Sequence, residues 1–189
     1  KYIHRPDVEM FDRLQEAAGG LFRLVDIAPE VDGAMEFIKA KKGEVVLSIA
    51  HHNTDYDTAK EAIEAGISHM THLYNAMNPI NHRNPGPIIA ASDSGCCNAE
   101  LICDNVHIHP AVVRNTLKMF GADKVVFVSD TMMAAGLQDG MYELGGQPVI
   151  VKGNLNEMYG NSSKRNGCAI RSCGWMCNSK SCKSSRTLR

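Results

Sequence analysis

Strand-like and helix-like segments alternate along the first 130 residues, and this alternation constrains the fold more than any other feature of the chain. Five apolar runs of five to eight residues are typical of buried strands, and helical spacing recurs between them. Such alternation indicates βα units and therefore a parallel sheet covered on both sides, with helices expected to cover its outside. We expect the runs to be parallel neighbours in one curved sheet: Leu21–Ala28, Val45–Ala50, Ile67–Leu73, Ala99–Cys103 and Lys124–Ser129.

Four helices are predicted around these strands. The first lies before the first strand, where Asp7 is suited to cap a helix that continues to Gln15 and stops at Gly19 and Gly20. The other three lie between strands: Val31–Ala40, Thr54–Ala65 and Pro110–Phe120.

Four residues with useful chemistry follow four successive predicted strands: His51, His72, His107 and Asp130. A single histidine at a strand end is more often a hydrogen-bonded loop residue, and Asp130 could simply cap the segment that follows it. The shared position is more informative, because TIM-type enzymes hold their active sites at the carboxyl ends of the barrel strands. Neutral imidazoles on adjacent strand ends could also share one divalent ion.

The segment His69–Arg83 carries the most distinctive motif, His-Met-Thr-His-Leu-Tyr-Asn-Ala-Met-Asn-Pro-Ile-Asn-His-Arg. Together with residues 50–53 (Ala-His-His-Asn) and 129–130 (Ser-Asp), it resembles the metal site of the amidohydrolase superfamily. Its variant Thr-His-Leu-Tyr-Asn-Ala-Met, followed by Arg-Asn-Pro-Gly at residues 83–86, resembles the N-acetylglucosamine-6-phosphate deacetylases in particular. The resemblance covers roughly residues 1–155.

This resemblance implies the chemistry of the site. His51 and His72 would be metal ligands, with zinc as the expected ion and iron, manganese or cobalt as alternatives. The metal would polarise the acetamide carbonyl and activate water. Asp130 would be the catalytic carboxylate, which takes a proton from the water and delivers it to the leaving amine. Glucosamine 6-phosphate and acetate would be the products, as in the catabolism of N-acetylglucosamine.

The resemblance also implies how the phosphosugar is bound. Asn75, the backbone of Ala76 and Arg83 match positions that hold the sugar phosphate, and a guanidinium suits a phosphate dianion. His107 would contact the substrate and help to orient the acetamido group. His52 stands where the family usually has Ser. The full-length parent is expected to be a cytoplasmic homodimer.

Part of the family pattern is missing from this sequence. A Glu on an earlier barrel strand, the third protein ligand of the metal, cannot be assigned, and Glu30 matches a different family position. The fold that we expect is therefore a partial (β/α)8 barrel with about five of eight strands. Residues 1–140 would form it, and residues 141–155, with a hairpin at 141–152, would start a small β domain. The chain is interpreted as an internal fragment of the parent enzyme.

Residues 156–189 lose the pattern of everything before them. They contain seven Ser, seven Lys or Arg and four Cys, with Glu157 as the one acidic residue. We expect this tail to be poorly ordered and to pack little, and we favour a frameshift as its origin. The alternative is a zinc cluster of Cys168, Cys173, Cys177 and Cys182, although a paired Cys-x-x-Cys is absent.

The composition of the chain limits the classes of partner that it can bind. Residues 1–155 carry a formal charge of −7 and the tail +6, and an acidic body argues against nucleic acid as the main partner. No apolar run approaches the ~20 residues that a membrane span needs, and no signal peptide opens the chain.

Two other interpretations of the function stay open: a different amidohydrolase acting on another N-acyl or cyclic amide, or a non-catalytic fragment.

Overall fold

The computed structural model describes residues 4–152 and 155–158, the last four through their backbone alone. The chain divides into two compact units, Lys1–Val128 and Ser129–Arg189. The elements are α1 (Val8–Ala17), β1 (Leu24–Ile27), α2 (Ala34–Lys41), β2 (Val46–Ile49), α3 (Tyr56–Ala65), β3 (His69–Met70), α4 (Gly86–Ser94), β4 (Asn98–Ile102), α5 (Pro110–Phe120), β5 (Val125–Val128), β6 (Gly140–Leu144), β7 (Gln147–Lys152) and β8 (Leu155–Met158).

The first unit is built on a five-stranded sheet whose order is β1-β2-β3-β4-β5. All four neighbouring pairs are parallel, as the apolar runs predicted. Every strand is therefore followed by a crossover to its immediate neighbour. Because parallel strands all end at the same edge, the segments that follow β2, β3 and β4 meet there.

The helices lie against one face of this sheet. Crossovers of the usual right-handed sense between strands in chain order place every helix on the same side. The core accordingly joins one sheet face, including Leu47, Ile49 and Leu101, to the helices. On the other face the paired residues Leu24 and Val46 remain 38% and 41% exposed. Helices on one face of the sheet agree with the prediction that they cover its outside, whereas the predicted cover of the second face is incomplete at β1 and β2.

Two elements between residues 67 and 95 differ from expectation. The predicted strand Ile67–Leu73 contains only the two-residue strand His69–Met70, because the backbone turns away from the sheet with left-handed φ values at His72 and Tyr74. Helix α4 was not predicted. It begins at Gly86-Pro87, where Pro is suited to the first turn, but its buried Ile88 and Ala91 leave it without the contrast of an amphipathic face.

The predicted N-cap of α1 and the predicted bounds of α5 agree with the structure. Asp7 accepts a hydrogen bond from the Met10 backbone N–H at the start of α1. Helix α5 begins at Pro110, whose fixed φ suits a first helical position, and ends at Phe120 before Gly121.

The second unit contains a three-stranded antiparallel sheet of order β6-β7-β8. Strands β6 and β7 form the predicted hairpin around the turn at Gly145 and Gly146. Strand β8 was not predicted. It continues through Met158, although the sequence predicted that regular structure would be lost from about Asn156. Short edge strands depend on backbone pairing, which side-chain patterns do not report. The predictions for the rest of the tail, including its four cysteines, lie outside the described residues.

None of the helices in the described part of the chain is long and apolar enough to cross a membrane.

Candidate active site

Left-handed backbone torsions mark the ends of the strands that were predicted to carry chemistry. His51 follows β2 with φ 46°, His72 follows β3 with φ 33°, and Asp130 follows β5 with φ 46°. Such torsions are uncommon outside glycine and cost on the order of 1–3 kcal/mol each, so surrounding contacts must hold them. They tend to occur at functional sites, and here three of the residues predicted for metal binding or catalysis share them.

The side chains of His51 and His72, the two predicted metal ligands, are in contact. Their Nε2 atoms are 3.1 Å apart and their rings meet edge to face, with centroids 4.7 Å apart. His51 is exposed, whereas His72 is only 4% exposed. Strands β2 and β3 are adjacent and parallel, so the approach of the two rings follows from the topology.

Glu100, which sequence reasoning did not single out, lies beside His72. One carboxylate oxygen accepts the backbone N–H of His72 at 3.3 Å, and the other is 3.1 Å from Nε2 of His69. The hydrogen bond from His69 lowers the pKa of Glu100 below its ordinary value, in opposition to burial. Glu100 sits in the middle of β4, and no local motif distinguishes it.

His52 lies in the same loop as His51 but is directed by other contacts. It is 7% exposed, and its Nδ1 accepts the backbone N–H of Thr54 at 3.2 Å. In the neutral ring the proton must then reside on Nε2, which is buried and has no partner among the described residues. His52 is thus an N–H donor, and burial lowers its pKa and favours this neutral form.

Glu30, three residues after the end of β1, is hydrogen-bonded to the loop that follows β2. Its carboxylate accepts the Asn53 backbone N–H at 2.6 Å and the Thr54 hydroxyl. Burial by itself raises the pKa of Glu30, but these hydrogen bonds lower it below the ordinary value. Glu30 therefore stabilises the geometry of this loop.

The turn after His72 contains the residues predicted to hold phosphate. The side-chain amide of Asn75 donates to the carbonyls of His72 and Leu73, so it is already engaged. Between residues 72 and 76, the backbone N–H of Ala76 is the one for which the described residues supply no acceptor. Ala76 is exposed, with φ 50°.

Arg83 lies further along the same loop. Its backbone N–H donates to the Asn81 side chain at 2.9 Å, and its side chain is exposed. The guanidinium has no partner in the described part of the chain. Arg83 and the Ala76 N–H are therefore two donors of this loop that remain available.

His107 and Asp104 form a buried pair after β4. His107 Nδ1 is 2.7 Å from Asp104 Oδ2, and the two side chains are 2% and 1% exposed. The other carboxylate oxygen accepts the backbone N–H groups of Val106 and His107. Burial alone raises the pKa of Asp104, but these hydrogen bonds lower it below its ordinary value. Nε2 of His107 is buried without a partner among the described residues.

Asp130 belongs to the second compact unit, where it is exposed. Its predicted role as catalytic carboxylate stays a prediction.

The His51–His72 pair fits two ligand positions of one metal ion. Two nitrogens bound to a tetrahedral zinc at about 2.0–2.1 Å lie about 3.3 Å apart, close to the observed 3.1 Å. The described residues contain no group of three or more His, Cys, Asp or Glu side chains that could hold a metal. They also supply no acceptor for the buried Nδ1 of His72, an atom that second-shell partners usually orient.

Comparisons with known proteins agree with the motif. No family model matches the chain. It is 43% identical over 154 residues to the N-acetylglucosamine-6-phosphate deacetylase of Bacillus subtilis (strain 168), which covers 81% of this chain and 39% of the relative. For the enzyme of the same name from Lysinibacillus sphaericus the identity is 35% over 151 residues, covering 79% and 39%.

The fold is similar to a solved structure of the same kind. A mutant N-acetyl-D-glucosamine-6-phosphate deacetylase from Mycobacterium smegmatis, in complex with N-acetyl-D-glucosamine-6-phosphate, matches with a TM-score of 0.82 and 34% identity. The match covers 89% of this chain and 43% of that one. By sequence and fold together, the chain belongs to the family of the N-acetylglucosamine-6-phosphate deacetylases, and it spans about two fifths of the length of these curated relatives.

Proposed function

We propose that the protein hydrolyses N-acetyl-D-glucosamine 6-phosphate to D-glucosamine 6-phosphate and acetate, with a divalent metal ion held in part by His51 and His72. The observation that carries the proposal is the 3.1 Å approach of the two Nε2 atoms at the ends of adjacent parallel strands. The names of the relatives, and the sugar phosphate in the Mycobacterium smegmatis complex, support the choice of substrate.

The proposal extends to the architecture. The five-stranded sheet would be part of an eight-stranded (β/α)8 barrel, formed here by residues 1–140, with residues 141–155 at the start of a small β domain. Strands in chain order with helices on one face support this reading, because a barrel winds in one direction only. A homodimer and a cytoplasmic location are proposed for the full-length protein from the family resemblance.

His51 and His72 would bind the metal through Nε2, with zinc as first choice and iron, manganese or cobalt as alternatives. A divalent ion held there would polarise the amide carbonyl and lower the pKa of water. Asp130, two residues after the end of β5, is the proposed general base. It would take the proton of the attacking water and deliver it to the leaving amine.

Arg83 and the Ala76 N–H are the proposed phosphate contacts, because both are exposed donors of one loop. Asn75 would contribute to phosphate binding by stabilising the turn. Its side-chain amide could also donate to the phosphate directly if its hydrogen bond to the His72 carbonyl were broken. His107 would meet the acetamido group through Nε2, since Asp104 occupies Nδ1 and orients the ring.

A segment exchange tests the proposal directly. The 154-residue segment of the Bacillus subtilis relative that matches this chain would be replaced with the corresponding residues of this chain. We expect the chimera to release acetate from N-acetyl-D-glucosamine 6-phosphate. Asp130→Asn should lower kcat by about 10²–10⁴-fold, whereas the exposed Asp57→Asn in α3 should leave it unchanged.

The phosphate contact is tested in the same chimera. Arg83→Gln should raise KM for the phosphorylated sugar and leave kcat nearly unchanged, because a contact remote from the amide contributes equally to ground state and transition state. Unphosphorylated N-acetylglucosamine should be a poor substrate for both proteins. Equal turnover of the two sugars would instead favour an amidohydrolase for a different amide, and full activity of Asp130→Asn would remove the proposed base.

A further inference from the structure

His72 lies where the chain leaves the sheet. Strand β3 ends at Met70, and two residues later the backbone has φ 33°, a torsion that is unfavourable for residues other than glycine. This torsion accompanies the approach of the buried ring to His51. Something must hold His72 in this conformation, because the ladder of sheet hydrogen bonds no longer does.

Glu100 contacts the backbone on both sides of the His72 side chain. Its carboxylate accepts the N–H of His72 at 3.3 Å, and its main-chain carbonyl accepts the N–H of Leu73 at 2.8 Å. The second carboxylate oxygen lies 3.1 Å from Nε2 of His69, which fixes the orientation of the carboxylate. One residue of β4 thus binds both amides that flank the histidine.

The sheet register explains why Glu100 can reach this position. His69 pairs with Asn98 across β3 and β4, and Glu100 is two residues beyond Asn98, on the same face of the sheet. The members of the core cluster in β3 and β4 are Met70, Ala99 and Leu101, which alternate with His69 and Glu100 and so face the other side of the sheet.

We propose that Glu100 is a positioning residue that holds the backbone of His72, and thereby aims its imidazole at His51. The inference rests on the proposed function, in which these two rings share a metal ion. Glu100 would act on the metal site through His72 and not by binding the metal or the substrate itself. To hold His72, the side chain of residue 100 must place an acceptor oxygen within hydrogen-bond distance of the His72 N–H, and this matters more than its negative charge.

Three substitutions at Glu100 separate the effect of side-chain length from the effect of charge. Glu100→Gln keeps the length and one oxygen acceptor for the His72 N–H, and its amide can donate to His69. Glu100→Asp keeps the charge but is shorter by one methylene group, and Glu100→Ala removes both. Asp26→Asn is the matched control, because Asp26 lies on the same sheet face and accepts the Thr71 hydroxyl rather than the amide of His72.

The first measurement uses the metal-free 189-residue chain, by NMR. In Glu100→Asp and Glu100→Ala we expect amide exchange at His72 to be about tenfold faster or more, and the NOE between the His51 and His72 rings to disappear. Glu100→Gln and Asp26→Asn should keep the NOE, with exchange within about threefold of the unsubstituted chain. If Glu100→Ala does not fold, the comparison of Asp with Gln decides.

Retention of the NOE and of the slow exchange in Glu100→Asp would overturn the proposal, as would their loss in Glu100→Gln. The second measurement is zinc titration, with His51→Ala/His72→Ala as background. Glu100→Asp should lose about tenfold or more of the histidine-dependent affinity, the usual size of a second-shell effect, at a temperature where circular dichroism shows it folded. An unsubstituted chain that binds no better than this background would refute the proposed function, while the NMR comparison would still decide the role of Glu100.

Discussion

At the scale of residues, backbone torsions distinguish the candidate site. Six non-glycine residues of the described part have left-handed φ, and His51, His72, Ala76 and Asp130 are among them. The sequence predicted that these four residues carry chemistry, because they follow strands and match a family motif. It could not predict the torsions or the contribution of Glu100, since both depend on a neighbouring strand that is close in space and distant along the chain.

The Asp104–His107 pair gives a prediction about acid stability. The folded-state pKa of Asp104 is below its ordinary value of 3.8, so its contribution is complete above about pH 4 and is lost as the pH falls through the lowered value. Asp104→Asn keeps an oxygen for the N–H groups of Val106 and His107 but cannot titrate. The substituted chain should therefore be less stable at pH 6, with a difference that narrows on acidification.

Urea unfolding from pH 6 to pH 3 measures this difference. Below pH 4 it should shrink by up to about 1.4 kcal/mol per pH unit, the value for one proton. The other carboxyl groups with lowered pKa, Glu30, Asp55 and Glu100, are present in both proteins and their contributions cancel in the difference. A difference that stays constant over the whole range would exclude a lowered pKa at Asp104.

At the scale of elements, the short strand β3 and the turn after it hold the site, and helix α5 supports that turn. The Tyr74 hydroxyl is hydrogen-bonded to the hydroxyl of Thr116, which is fully buried in α5 and also donates to the Val112 carbonyl. Tyr74 is itself left-handed, with φ 77°. The bond therefore links the loop of the candidate phosphate contacts to a helix that begins after the next strand.

A double-mutant cycle measures this link. Tyr74→Phe and Thr116→Val each remove one hydroxyl, and each should lower the free energy of unfolding by about 1–2 kcal/mol. The double variant should lose less than the sum of the two, with a coupling of about 0.5–1.5 kcal/mol, because a single bond is removed in both cases. Additive losses would mean that the two hydroxyls act independently.

The elements that sequence reasoning identified correctly are those with a strong local pattern. Helix α5 begins at Pro110 and ends at Phe120 as predicted, and the parallel sheet follows from repeated apolar runs. Helix α4 and the early end of β3 were missed for a physical reason. Helix α4 is stabilised by burial of Ile88 and Ala91 against the rest of the core, which a search for an amphipathic pattern does not detect. The early end of β3 accompanies left-handed backbone torsions at His72 and Tyr74, which side-chain patterns do not report.

At the scale of the whole molecule, the parallel sheet has two edges, β1 and β5, in the described part of the chain. Strand edges with exposed apolar side chains favour pairing with other chains. Phe127 in β5 is 65% exposed, and Val126 beside it is 42% exposed. We therefore expect the chain on its own to self-associate through this edge.

Phe127→Lys should reduce this association, because a charged side chain on an edge strand opposes pairing. Light scattering after size exclusion should show a larger monomer fraction for this variant at equal concentration. Met133→Lys, which replaces a 79% exposed side chain outside the sheet, is the control and should have little effect. A chain that is fully monomeric without substitution would contradict the expectation.

The proposed deacetylase function depends on whether His51 and His72 share a metal ion. Zinc K-edge X-ray absorption of the 189-residue chain loaded with one equivalent of zinc tests this most directly, because nitrogen and sulfur ligands differ in bond length. We predict two imidazole ligands at about 2.0–2.1 Å, with lighter scatterers completing the shell, and their loss in His51→Ala/His72→Ala. A sulfur shell at about 2.3 Å that survives in the double variant would instead place the zinc on cysteines and contradict the proposed site.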